Sequence, residues 1–205
     1  MRKNKPTLLV SLIILLFSAA AVSAAQNLLD NGDFMSTLPP REGYQGWADE
    51  YIYGWKPFTT AWIAGGHITV IPHPEKPDTS LLRMTGIESG YVALRSHHIP
   101  VTEGSMYMLN ARALVKELAE PSRFQLFIEF WPADLESETS AFRMSLTKAV
   151  AREKGVWLDL EVAETAPEGA ATATIMVLIH SQAKLDPLPA EVLVENISFV
   201  EVQYP

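Results

Sequence analysis

Cysteine is absent from the 205 residues. That excludes disulfides, thiolate metal centres, a cysteine nucleophile and a lipid-modified N-terminal cysteine. Basic residues are scarce, 16 Lys and Arg against 24 Asp and Glu, for a net charge of −8. No basic stripe interrupts this balance, which argues against nucleic acid and anionic membrane surfaces and favours a neutral or cationic partner. Helical periodicity is nearly missing. The single candidate, Ala113 to Glu120, continues an alternation begun in the strand before it. The chain also lacks a His-x-x-x-His pair, a Gly-x-Ser-x-Gly elbow and a phosphate-binding loop. His97, His98 and His180 fall at no metal-binding spacing.

The one long apolar run lies at the N-terminus. Arg2, Lys3 and Lys5 precede the apolar stretch Leu8 to Phe17, and Ser18 to Ala25 is a run of small residues with Val22-Ser23-Ala24 suited to signal peptidase. Residues 1–25 are therefore expected to be a signal peptide, and residues 26–205 one secreted or periplasmic domain of the bacterial envelope. The apolar core is short of the roughly 20 residues of a membrane span. Loss of the three cations Arg2, Lys3 and Lys5 takes the net charge from −8 to −11.

What remains alternates with a period of two. Phe124, Leu126, Ile128 and Phe130 share one parity of the stretch Arg123 to Pro132, and Arg123, Gln125, Phe127, Glu129 and Trp131 share the other. Successive strand side chains point to opposite faces, so the first set reads as a buried wall and the second as an outward ledge. Similar alternation runs through Tyr107 to Val115, Val156 to Val162, Ala173 to Ile179 and Val192 to Val202, with turn signals such as Glu103-Gly104 and Pro167-Glu168-Gly169 between them. Roughly ten strands of this kind predict an all-β chain, a single antiparallel β-sandwich of jelly-roll type.

Four segments in order resemble carbohydrate-binding modules of the family 4, 9 and 22 group, which share a galactose-binding-like jelly roll. They are Asn27-Leu28-Leu29-Asp30-Asn31-Gly32-Asp33-Phe34 with Gly54-Trp55, the run Ile99 to Arg112, Trp157 to Ala170, and Val192 to Phe199. The resemblance covers essentially residues 26–205 and implies non-catalytic binding of a polysaccharide or oligosaccharide. It assigns Trp55 and Trp157 to the framework. It also implies a structural calcium ion, for which Asp33, Glu195 and Asn196 are the oxygen donors at matching positions. Met35 stands where that family usually has an acid, and a thioether gives calcium no ligand.

Sugar recognition needs flat rings for pyranose faces and planar polar groups for hydroxyls. Asn110 and Arg112 on one strand, and Gln125, Glu129 and Trp131 on the next, supply this mix if the two strands are neighbours, with Trp47, Tyr51 and Tyr53 bordering them. The plain alternative is that Arg112 and Glu129 pair across strands. Two other function classes stand beside glycan binding. One is an envelope protein–protein interaction module, or a module that delivers glycan to a partner enzyme. The other is a jelly-roll glycosidase or polysaccharide lyase, for which Asp134, Glu136 and Glu138 are the candidate carboxylates.

Overall fold

The computed structural model describes residues 26–38, 51–57, 67–87, 90–135, 140–181 and 188–202. The expected signal peptide 1–25, Trp47 and the acids Glu136 and Glu138 lie outside them. Thirteen strands follow in order: β1 Thr37–Leu38, β2 Tyr51–Ile52, β3 Trp55–Pro57, β4 His67–Pro72, β5 Ser80–Ile87, β6 Gly90–Ser96 and β7 Ile99–Pro100. Then come β8 Met106–Leu118, β9 Arg123–Pro132, β10 Ser145–Ala151, β11 Trp157–Thr165, β12 Ala170–Ser181 and β13 Leu188–Glu201. The helix candidate at Ala113 to Glu120 is instead the end of β8, because its alternation of Ala113 and Val115 inward and Leu114 outward is completed by pairing with β13.

The pairs between these strands are antiparallel; apart from the small β1–β2 pair, they form two layers. The front sheet has six strands in the order β10-β9-β12-β6-β3, with β7 also on β12; the back sheet has five, β11-β8-β13-β5-β4. This is the expected all-β sandwich. The turn from Ala119 to Ser122 carries the chain from one layer to the other, so β8 and β9 are consecutive in sequence yet belong to different sheets.

Inward side chains of both sheets make one core. Phe124, Leu126, Ile128 and Phe130 of β9 meet Leu109, Ala111 and Val115 of β8 and Val192, Val194 and Phe199 of β13. Tyr107 stacks on Phe199 at 5.1 Å and leans on Phe130 at 6.2 Å, while its hydroxyl accepts the Thr102 N–H at 2.8 Å. A buried phenol thus keeps its polar end satisfied. At the entry turn Asn31 takes the left-handed conformation (φ 52°), and Gly32 is needed for space, since a Cβ there would run into the Ile197 carbonyl. Trp55 is buried beside Phe34 at 5.6 Å, as a framework residue should be.

Phe130 has no exposure to solvent, so Phe130→Ala should cost about 3–5 kcal/mol of unfolding free energy in urea. Glu117→Ala, at the exposed Lys154 pair, should stay within about 0.5 kcal/mol.

Candidate functional site

The outward parity of β9 is in place, but it is not an open ledge. Gln125, Phe127, Glu129 and Trp131 are each at most 5% exposed. Phe127 joins Ala93 of β6 and Met176 and Leu178 of β12 in a second apolar cluster on the outer side of the front sheet. The register explains the grouping, because Phe127 faces Met176 and Gln125 faces Leu178 across the β9–β12 ladder. On the other flank Lys148 and Val150 of the edge strand β10 lie opposite Phe127 and Gln125. Leu146 and Val150 are exposed there, and the Lys148 ammonium sits 5.7 Å from the centre of the Phe127 ring.

Glu129 has no exposure and is held between two guanidinium groups. Arg143 Nη1 reaches Oε1 at 2.8 Å and Arg95 Nη2 reaches Oε2 at 2.8 Å. The Thr174 hydroxyl, directly across the ladder, donates to Oε2 at 3.2 Å and accepts from Trp131 Nε1 at 2.9 Å. The Arg95 guanidinium also lies 5.4 Å from the centre of the Trp131 ring, with His98 edge-on to the same ring at 6.0 Å. An ion this deep is tolerable only when its oxygens are matched, as they are here. Arg95, Arg143, Thr174 and Lys148 were not singled out in the sequence. A lone carboxylate inside an apolar strand signals that outward cations must exist elsewhere, but not which ones.

The proposed companions from β8 are on the other side of the molecule. Asn110 and Arg112 point outward from the back sheet, so they do not share a face with Gln125, Glu129 and Trp131. The Arg112–Glu129 pair is also absent, because the Ala119–Ser122 turn separates their sheets. Arg112 instead reaches Glu195 at 3.3 Å and Asp159 at 3.9 Å, and lies 5.3 Å from the Trp157 ring. His73 stacks on that indole at 6.1 Å and 9°. Trp157 is therefore a half-buried ring on the outer surface, held by two cation-bearing or imidazole planes rather than by the core. Tyr53 is 51% exposed. The side chain of Tyr51 and all of Trp47 lie outside the described residues.

The calcium set also divides. Asp33 and Asn196 line one pocket with Asn27, Asn31 and Ser198, but Glu195 is turned away toward Lys76 and Arg112. Side-chain amides near that pocket are already engaged with the backbone. Asn27 Nδ2 donates to Ile197 O at 3.2 Å while its Oδ1 accepts the Phe199 and Leu29 N–H groups at 2.9 and 3.2 Å. Asn31 Nδ2 donates to Ser36 O and Tyr53 O, both at 2.9 Å. Calcium takes six to eight oxygens, and among the described residues Glu195 does not join Asp33 and Asn196 in one set.

Two outcomes follow from this geometry. Glu129→Gln should lower unfolding free energy by about 3 kcal/mol, measured in urea, because two partly or fully buried guanidinium groups lose their counter-charge. Asn27→Ala should cost about 1–3 kcal/mol by leaving the Phe199 N–H unsatisfied, whereas excess chelator should leave the thermal midpoint of the unaltered protein unchanged.

No family model matches the chain, and no curated protein matches it in sequence. Solved structures do match in fold. A family 16 carbohydrate-binding module aligns with a TM-score of 0.53 and 15% identity, over 85% of this chain and 100% of that one. A family 4 module aligns with a TM-score of 0.50 and 10% identity, over 85% and 99%. The enzymatically active domain of tailspike protein 4 of bacteriophage CBA120 aligns with a TM-score of 0.57 and 12% identity, over 86% of this chain but 21% of that one. At these identities the likeness is one of fold. The chain has the β-sandwich of the carbohydrate-binding modules, the fold that its four sequence segments imply.

Proposed function

We propose that this chain is a non-catalytic carbohydrate-binding module, secreted or periplasmic, whose ligand lies along the outer face of the front sheet beside β10. The observation that carries this reading is the hydrogen-bonded array Arg143–Glu129–Arg95 with Trp131 and Thr174, whose Arg143 end is 26% exposed and whose Glu129 lies opposite Leu146 of β10. Binding energy is not spent on ordering groups that are already fixed. Glycan-binding proteins of the same fold support the ligand class, and the expected signal peptide supports the address. Delivery of glycan to a partner enzyme is compatible with such a module.

The same geometry supports a non-catalytic role. Glycosidases of the usual kind set two carboxyl groups roughly 5–9.5 Å apart, one of them free to give a proton. Among the described outward strand positions of the front sheet, Glu129 is the one carboxylate, and both of its oxygens are engaged by cations.

A protein partner is the second reading. It is favoured by the exposed side chains of Leu146 and Val150, which share one parity on the edge strand β10, and of Phe142 and Met144 in the segment before it.

A glycan array with the unaltered protein, Arg143→Ala and Arg112→Ala separates these cases. Glycan binding predicts array hits that Arg143→Ala weakens by about tenfold, or about 1.4 kcal/mol, while Arg112→Ala on the back sheet leaves them unchanged. A blank array, with a photo-crosslinker at Val150 trapping a partner chain, would instead favour the protein reading.

A further inference from the structure

One side of the sandwich ends in two edge strands, one from each layer. Among the described residues β10 pairs only with β9, and β11 only with β8. The two adjoin without sharing a ladder. The Thr147 hydroxyl donates to Glu164 Oε2 at 2.6 Å, and the short connection 152–156 brings β11 back alongside β10 in the opposite direction. Both strands therefore turn backbone N–H and C=O groups toward the same side of the molecule, with no further strand to receive them.

Exposed apolar area gathers on that side as well. Of the seven large hydrophobic side chains exposed among the described residues, five belong to β10 or to the segments that flank it: Phe142, Met144, Leu146, Val150 and Val156. Apolar groups massed along an unpaired edge mark a surface that another chain covers.

Charge identifies the chain. The outward parity of β10 carries Lys148, and the outward parity of β11 carries Asp159 and Glu161, all three exposed. Among the described residues no carboxylate lies within ion-pair distance of Lys148, whose ammonium rests against the Phe127 ring. Glu161 likewise has no cation, and Asp159, with its side chain 93% exposed, reaches Arg112 only at 3.9 Å. Opposite charges facing each other across a strand pair stabilise it, and like charges destabilise it. Joining two copies β10 to β10 and β11 to β11 brings lysine to lysine and acid to acid. A two-fold axis parallel to the strands does the reverse. It sets β10 of each copy antiparallel beside β11 of the other, with Lys148 facing the Asp159 and Glu161 stretch in two equivalent places, and such a contact closes on itself.

We infer that this edge is an interface with a second copy of the chain, made by crossed pairing of β10 with β11 on both sides of a two-fold axis. The inference does not rest on the carbohydrate reading. In such a dimer the front sheet of one copy continues into the back sheet of the other, so the two front faces look to opposite sides.

Sedimentation equilibrium of the full chain over a range of concentrations tests this, with thermal midpoints recorded beside it. The expected result is a monomer–dimer equilibrium. Lys148→Glu alone, or Asp159→Lys with Glu161→Lys, should weaken it about tenfold in Kd, or about 1.4 kcal/mol, without a fall in midpoint, because these side chains are exposed. All three changes in one chain should restore the dimer, since the crossed pairs are again of opposite sign. Sedimentation as a monomer at every concentration would overturn the interface. A dimer indifferent to either reversal would place the contact elsewhere, and one weakened by each reversal but not restored by their combination would overturn the crossed pairing.

Discussion

A carboxylate cut off from water sets the terms for the front of this molecule. Taking one ion out of solvent costs several kcal/mol even after relaxation. Glu129 can sit at zero exposure only because Arg95 and Arg143 each take one of its oxygens and Thr174 completes the set. The arrangement binds three strands and the segment before β10 to a common point. Thr174 is positioned by β12, Arg95 by β6, and Arg143 by the approach to β10, where the Met144 N–H bonds to Phe130 O at 2.9 Å. Trp131 is fixed through Thr174 and under the Arg95 guanidinium. The outer face of the front sheet is tied together by these polar contacts as well as by apolar packing.

Alternation made the strands and their faces legible. The bounds Arg123 to Pro132 are those of β9, and the buried parity of Phe124, Leu126, Ile128 and Phe130 is the observed one. Alternation does not say which sheet a strand joins. Asn110 and Arg112 were paired with Gln125 and Glu129 because their strands are consecutive, and in a sandwich a short turn can switch layers as readily as it can build a hairpin. Nor does parity report cover. A Phe and a Trp flanking a carboxylate read as an exposed ledge, yet the same pattern arises when both faces of a strand are packed, as the burial of β9 from Phe124 to Trp131 demonstrates. The signal that pointed correctly was chemical: an acid amid Phe, Ile and Trp requires paired cations.

Net charge was the least informative of the sequence features, for a physical reason. It sums over a surface whose distant parts do not feel one another through salt, and here the two outer faces differ. The back sheet pairs Arg83 and Lys116 with Glu191 and Arg112 with Glu195. The front sheet gathers Arg95 and Arg143 about the one engaged acid, Glu129. An inference about partners drawn from the total therefore describes the molecule's mean and not any one face. The entry turn carries a parallel lesson. Asp33, Glu195 and Asn196 are close in chain position to a plausible cation site, but a bulge between Val194 and Ile197 sends Glu195 to Lys76 and Arg112 while Asn196 faces Asp33.

The back sheet is also the poorer platform in its own right. Its one outward tryptophan, Trp157, has the His73 imidazole stacked on it and the Arg112 guanidinium close by. His73 is fixed in turn, since its Nδ1 accepts the Glu75 N–H at 3.0 Å and its Nε2 faces Glu195 at 3.9 Å. A ring held by such partners has less apolar face left for a pyranose. At the β9–β10 edge the position is reversed: the buried Nε2 of Gln125 has no hydrogen-bond partner, and aliphatic side chains of β10 are open to solvent. Burying an amide N–H without an acceptor lowers stability, and an apolar residue of similar shape at Gln125 would avoid that cost. Departures from local consistency of this kind are expected where a surface serves a ligand, and this one lies beside the most exposed aliphatic stripe of the sheet.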